Sequence, residues 1–470
     1  MADCAEALFF IEDSLAEGLA LHQAGELAAA EARYRDILAL CDEQAEVWFY
    51  LGLLCQADGR HAEAAAHLAA ACALEPEQAT FHLALGNLRQ GEGDHAAAIA
   101  AYEKATAAAP DNAQAWYNLG VASFAAGRLT AAITAYERAL PLLPDDSDLL
   151  YNLAIAYDKG GRAADAFRSW GQALRLAPDD VELRYNLALF HKRAGDDEAA
   201  LSQLEEVVRR EPGYAPAYGH LATLSLRRGQ VPQAMCCYER LLELGHDVEA
   251  ARHMLAALRG ERLEKAATGY VRKLFDGYAE TFEQELVERL GYDAPARLRS
   301  LVERSLPAGR RFNRLLDLGC GTGLAGEAFR DLAATLVGVD LSGRMVAVAR
   351  DKGIYDELEI DEAVAFCRRQ ERRFDAIVAA DVLVYLGELA PLFAAVATIL
   401  LPGGIFAFST ERCEEGFVLR PTGRHAHATH YVGEVAAASG LRVLLQEETR
   451  LRQEQGQWLV GDLFVLALAG

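Results

Sequence analysis

The residues best placed to do chemistry stand in LLDLGCGTG, Leu315–Gly323, where an apolar run opens into Gly319, Gly321 and Gly323. Glycines at this spacing let a backbone turn sharply and pass close to a ligand, and a helix starting beyond them supplies N–H groups. A nucleotide-type ligand fits such a turn. A dinucleotide fingerprint would have its third glycine at 324, where Leu324 stands, and the spacing is wrong for a phosphate-binding loop. Asp340 closes the next apolar run, TLVGVDLS, 21 residues after Gly319, where an ionised carboxylate can accept bonds from both hydroxyls of a sugar.

A second concentration of polar chemistry lies in RPTGRHAHATHYV, with His425, His427 and His430 beside Arg424 and Tyr431. An imidazole titrating near neutrality suits proton removal, so His425 and His427 are candidate bases. The His-x-His pair could also hold a metal, but no local carboxylate or cysteine accompanies it, and idle surface-loop histidines are the third reading. No metal is expected. Arg412, Arg420 and Arg424 give this loop a positive character that suits a carboxylate-bearing acceptor, with Arg424 and His430 as its candidate contacts. Tyr385, just beyond Asp381 in FDAIVAADVLVYL, is a candidate wall of the acceptor pocket.

The elements that must carry these residues are short apolar strands alternating with helices. Strand-like runs fall at Arg314–Leu318, Thr335–Val339, Phe374–Ala379, Gly404–Ser409, Leu441–Glu447 and Trp458–Ala467. Helix-like segments separate most of them, which predicts a doubly wound, mostly parallel sheet. No helix separates the last two, so the final strand should return antiparallel beside its predecessor.

Before this region the sequence repeats every 34 residues over 11–248, in seven blocks. The seventh position carries Leu51, Leu85, Leu119, Leu153, Leu187 and Leu221, and the twentieth carries Ala30, Ala64, Ala98, Ala132, Ala166, Ala200 and Ala234. Large residues such as Tyr34, Tyr102, Tyr136, Trp170 and Tyr238 follow, and Pro76, Pro110, Pro144, Pro178 and Pro212 end five blocks. Each block reads as helix, turn, helix, with small residues allowing close approach and proline stopping the second helix. The pattern resembles the tetratricopeptide repeat, which implies an all-α solenoid with a concave binding surface.

In three successive blocks Asn118, Asn152 and Asn186 follow Tyr117, Tyr151 and Tyr185. An amide ladder could hold an extended peptide backbone, as in the similar repeats of O-linked GlcNAc transferase, or could simply bond a neighbouring helix. The expected division is a repeat superhelix over 1–250, a linker over 251–267 and an α/β domain over 268–470.

The glycine turn and Asp340 together resemble the class I S-adenosylmethionine-dependent methyltransferases, a Rossmann-like fold. This resemblance implies S-adenosyl-L-methionine as cofactor. It implies that Gly319, Cys320, Gly321 and Gly323 contact the methionine and ribose parts, and that Asp317 orients the amino group. Asp340 would hold the ribose, and Leu341 and Met345 would flank the adenine. Of Asp361-Glu362-Ala363, Glu362 is preferred near the adenine amine, because strand alternation from Leu358 points one acid of the pair toward the site. Asp381 would lie near the departing methyl, or would cap the next helix. Tyr270, Tyr278 and Phe282 would cover the cofactor, or serve as core. The whole arrangement is similar to predicted bacterial repeat-containing methyltransferases.

Three functions follow as expectations. The first is methyl transfer to an O or N acceptor on a peptide or protein recruited by the repeats. The second is small-molecule methylation with repeats used for assembly, and the third is a non-catalytic adaptor with a vestigial cofactor fold. The formal charge of −23 disfavours nucleic-acid and membrane partners, and the Asn/Asp-Pro-Pro-Tyr signature of base methylation is absent. Nine scattered cysteines without Cys-x-x-Cys, and no basic leader or long apolar run, lead to an expected cytoplasmic setting.

Overall fold

A computed structural model describes the backbone of residues 2–454 and 457–469, and side chains within it except those of 2–10, 285 and 288. The chain forms two compact units, Met1–Pro212 and Gly213–Gly470.

In the first unit consecutive helices pack in pairs, for example Ala45–Ala57 with His61–Leu74 and Ala113–Ala125 with Leu129–Ala139. The alanines at the twentieth position, from Ala30 to Ala200, are wholly buried where the two helices of a pair meet. Opposite them a side chain is forbidden. A Cβ on Gly52 would come within 2.7 Å of Leu68, and one on Gly86 or Gly120 would overlap the ring of Tyr102 or Tyr136. The turn inside each pair has its own signature: Gly25, Gly59, Gly93, Gly127, Gly161 and Gly195, 34 apart, all take φ between +72° and +80°. Only glycine adopts that left-handed geometry without strain.

The second unit opens with one more pair, Ala215–Arg227 and Val231–Glu243, and a further helix, Val248–Arg259. That helix fills the first half of the expected linker, because Ala251, Leu255, Ala256 and Ala257 are buried; Ala256 and Ala257 pack with Leu419.

Beyond it lies a nine-stranded sheet: β1 (Phe312–Leu318), β2 (Ala333–Asp340), β3 (Glu357–Ile360), β4 (Phe374–Ala379), β5 (Leu400–Arg412), β6 (Phe417–Leu419), β7 (His425–His427), β8 (Leu441–Glu454) and β9 (Gln457–Leu468). Strands β3, β2, β1, β4 and β5 lie side by side and parallel. β9 runs antiparallel to both β5 and β8, as the missing crossover helix required. The far end of β5 pairs with β7, and β6 with β7. The segment read as a loop is therefore a hairpin continuing the sheet.

Helices cover both faces, so the central strands are apolar without alternation. Leu316, Val337, Ile377, Phe406 and Phe408 pack on one side against Phe393 and Val396, while Leu315, Leu336, Ala376 and Ile405 pack on the other against Leu298, Leu301 and Val302. This places the carboxyl ends of β1, β2 and β4 at a common edge. Among the described residues no helix is long and apolar enough to cross a membrane.

Candidate active site

A cleft opens at that edge. Its floor comprises Gly319, Cys320, Gly321, Thr322, Asp340, Leu341, Asp361, Glu362, Ala363 and Asp381. Gly319, Gly321 and Gly323 have φ of +74°, +54° and +102°. The N–H groups of Gly319 and Cys320 both donate to the carbonyl of Val339, at 2.7 and 2.9 Å, which folds the turn back onto β2. A Cβ on Gly319 would overlap Val382, so the cradle exists only for glycine.

Asp340 is gripped by this turn. Its Oδ2 accepts from the Gly321 N–H at 2.9 Å and its Oδ1 from the Ser342 N–H at 2.8 Å. Each oxygen keeps acceptor capacity toward the cleft. Burial pushes its pKa up, and the backbone N–H bonds oppose that. Asp317 lies deeper, 1 % exposed. Its Oδ2 accepts from the Tyr355 hydroxyl at 2.6 Å, its Oδ1 has no partner among the described residues, and burial raises its pKa to about 7.

Other expected positions divide. Glu362 lines the cleft while its Oε2 caps the helix Ala363–Arg369 through the Ala365 N–H at 2.8 Å. Asp361 lines it too, but its oxygens take the Glu362 N–H at 2.8 Å and Arg369 at 2.6 Å. Gly323 caps the helix Leu324–Phe329 and, like Asp317, stands off the cleft wall. Met345 is buried in the core behind the wall, because its helix turns that face to the sheet. Tyr278 ends the helix Thr268–Tyr278 and is 50 % exposed, outside the cleft. Phe275, three residues earlier, lines the cleft with Val271, Phe282 and Leu286, and meets Tyr385 edge-on at 5.4 Å. Tyr270 instead stacks on His253 at 4.6 Å. The aromatic helix is tethered by Asp276, which accepts from the Ser342 hydroxyl at 2.5 Å.

Two of the three histidines lie buried away from the cleft. His425 and His427 are fully buried in β7, where Nε2 of the first meets the Leu263 carbonyl at 3.0 Å and Nε2 of the second the Leu386 carbonyl at 2.8 Å. Burial lowers both pKa values, that of His427 to about 4, and neither lines the cleft. His430 is exposed in a separate groove with Arg412, Arg420 and Trp458. Arg424 is not free for a substrate carboxylate. It binds Asp381 Oδ1 at 2.5 Å, Glu411 Oε1 at 2.6 Å and the Tyr385 hydroxyl at 3.1 Å. Tyr385 does line the cleft.

In the first unit the asparagines bond neighbouring repeats. The amide N–H groups of Asn152 and Asn186 donate to the hydroxyls of Tyr117 and Tyr151, each at 2.9 Å, and that of Asn118 to Asn87 at 2.8 Å. Cys55, Glu63 and His67 bring possible ligand atoms within 4.8 Å, but Arg60 at 3.2 Å and Arg35 at 3.9 Å share that carboxylate and oppose a cation. The eight described cysteines are free thiols.

Tyr355, Phe275, Glu411 and Arg452 contact residues of the candidate site and were not singled out in the sequence. The glycines at 326 and 338, where a Cβ would crowd Tyr355, were the available signal for that tyrosine.

The chain therefore joins a helical repeat array to an α/β domain whose parallel sheet carries a glycine-turn cleft. Comparison with known proteins agrees. Tetratricopeptide-repeat family models match residues 15–79, 83–147, 151–216 and 193–258, and a methyltransferase-domain model matches 290–446. The chain thus carries tetratricopeptide repeats followed by a methyltransferase domain.

Among curated relatives, the ubiquinone biosynthesis O-methyltransferase of Xanthomonas axonopodis pv. citri (strain 306) is 31% identical over 134 residues, covering 27% of this chain and 55% of that protein. The protein of the same name from Thiobacillus denitrificans (strain ATCC 25259 / T1) is 33% identical over 120 residues, covering 25% and 50%. The chain spans about half the length of these relatives. Among solved structures, YrrB, described as a TPR protein with an unusual peptide-binding site, is 19% identical at a TM-score of 0.37, covering 42% of this chain and 97% of that one.

Proposed function

We propose that residues 268–470 bind S-adenosyl-L-methionine and transfer its methyl group to an O or N acceptor, and that residues 1–250 recruit the peptide or protein that carries or accompanies that acceptor. The observation that carries this reading is the Asp340 carboxylate, fixed by two backbone N–H groups beside a glycine turn that a Cβ would close. Both oxygens can still accept from a sugar diol. Leu341 and Ala363 offer apolar contact to a flat base, Glu362 an acceptor for its amine, and Cys320 and Gly321 backbone to the amino-acid part. Asp317, set back from the cleft with one oxygen unpartnered among the described residues, suits an ammonium group reached through water.

When bound, the cofactor supplies an electrophilic methyl group on a sulfonium. The chain's own task is then alignment, water exclusion and acceptance of a proton where the acceptor carries one. Phe275, Phe282 and Leu286 exclude water over the cleft. The Tyr385 hydroxyl is the polar atom we assign to the acceptor side, and Asp381 Oδ2, free of protein partners among the described residues, is assigned to the donor's methionine part beside the departing methyl.

Calorimetric titration of the full chain with S-adenosylhomocysteine tests the reading. Binding that Asp340→Ala weakens at least about 100-fold is expected, since two hydrogen bonds to a charged group are lost. No binding by the unaltered chain would favour the adaptor function. A small-molecule acceptor is the second reading, favoured by the apolar cleft wall and by the O-methyltransferase names of the relatives. In the repeats, the side-chain carbonyls of Asn152 and Asn186, without hydrogen-bond partners among the described residues, remain for a peptide backbone. Radiolabelled methyl appearing in macromolecules rather than metabolites of a cell extract would decide between the two.

A further inference from the structure

Asp381 is a non-glycine residue held at φ +60°, a left-handed backbone that L side chains adopt rarely and that persists only where surroundings enforce it. The enforcement is visible. Its N–H donates to Ser409 Oγ at 2.9 Å, and its Oδ1 accepts from Arg424 at 2.5 Å and Arg452 at 3.4 Å. Behind the arginines, Glu411 takes Arg424 at 2.6 Å and Arg452 at 2.9 Å on the same oxygen, so two carboxylates and two guanidiniums form a neutral, largely buried square. Glu411 is 2 % exposed and Arg452 4 %. All of this engages one oxygen of Asp381, leaving Oδ2 to the cleft.

Arg424 is itself held in place from a helix of the repeat-like array. It follows Gly423 in the β6–β7 turn, and the Gly423 carbonyl accepts from His253 Nε2 at 2.8 Å. His253 lies on the helix Val248–Arg259, is 3 % exposed, and stacks on Tyr270 at 4.6 Å. Gly423 has φ +78°, and a Cβ there would strike Met254 at 2.8 Å.

We propose that His253 and Arg424 are positioning residues for the cleft: His253 fixes the turn, Arg424 fixes Asp381 and the Tyr385 hydroxyl, and Asp381 Oδ2 is thereby aimed at the bound methyl donor. The helix that closes the repeat array is on this account a working part of the catalytic wall. The inference rests on the methyl-donor reading of the cleft.

The test is S-adenosylhomocysteine affinity measured on the full chain, alongside thermal melting. Asp381→Ala and Arg424→Leu should each weaken binding about 10-fold. His253→Leu should weaken it about 3-fold, while His253→Gln, whose amide N–H can reach the Gly423 carbonyl, should restore it. In an Asp381→Ala background His253→Leu should cost nothing more, because its effect runs through that carboxylate. A merely structural histidine would lower the melting temperature and leave affinity unmoved. Should Arg424→Leu fail to fold, the His253 pair and the double variant still decide. If the unaltered chain binds and both Asp381→Ala and His253→Leu bind equally well, the inference is wrong and the donor reading stands. If the unaltered chain does not bind, both are wrong.

Discussion

At the scale of single residues, the cleft is built by denying water to carboxylates and then returning partners selectively. Asp317 shows the consequence, with a pKa near 7 raised by burial and held down by the Tyr355 hydroxyl. If its ionised form receives the donor's ammonium, affinity for S-adenosylhomocysteine should rise about 10-fold from pH 6 to pH 8. Tyr355→Phe removes the bond that favours the carboxylate and should move that rise to higher pH; calorimetry at several pH values checks both. Asp340 and the glycines were legible in the sequence because a sharp turn and an acid closing a strand follow from backbone geometry, whereas Asp317 was singled out only through the family resemblance. The partners of Asp317 and Asp381 were not, because Tyr355 reaches the first and Arg452 the second only through tertiary packing.

At the scale of elements, periodicity carried most of the reading. The 34-residue spacing predicted helix pairs because small residues must recur wherever two helices touch, and the buried alanines and the Gly120–Tyr136 contact realise that rule. Gly120→Ala should therefore overpack its pair and cost about 1–3 kcal/mol, measurable by urea unfolding. The β6–β7 hairpin was illegible for the opposite reason. Three-residue strands have no period, and a run with three histidines looks solvent-facing until the carbonyls of Leu263 and Leu386 supply buried acceptors. The six apolar runs likewise omitted β3, a four-residue strand without a buried position.

At the scale of the whole chain, the compact units change at Pro212–Gly213, whereas the repeat period ends near 248. A fragment starting at Gly213 should keep S-adenosylhomocysteine binding. One starting at Thr268 loses His253, Ala256 and Ala257 from against the hairpin and should melt at lower temperature; differential scanning calorimetry of the two fragments checks this.

Two buried groups of the second unit pull its stability in opposite directions as pH falls. His427, buried neutral with a pKa near 4 against 6.5 unfolded, leaves the unfolded chain binding more protons between those values. Its contribution is complete above pH 6.5 and is lost as pH falls toward 4, by roughly 3 kcal/mol. Asp317, with its pKa raised on folding, acts in the opposite sense over nearly the same range. Asp317→Asn leaves His427 unopposed and should therefore shift the response of the melting temperature to acidification toward a loss.

The asparagine–tyrosine bonds between successive repeats carry one more consequence. Because Asn152 meets Tyr117 and Asn186 meets Tyr151 at the same interval, excising residues 147–180 would bring Asn186 onto Tyr117 with the original pairing regenerated. Removing one residue more or fewer would break it. The array is thus a ratchet whose teeth permit evolution to lengthen or shorten it only by entire modules, so that its reach can change while each joint stays the same.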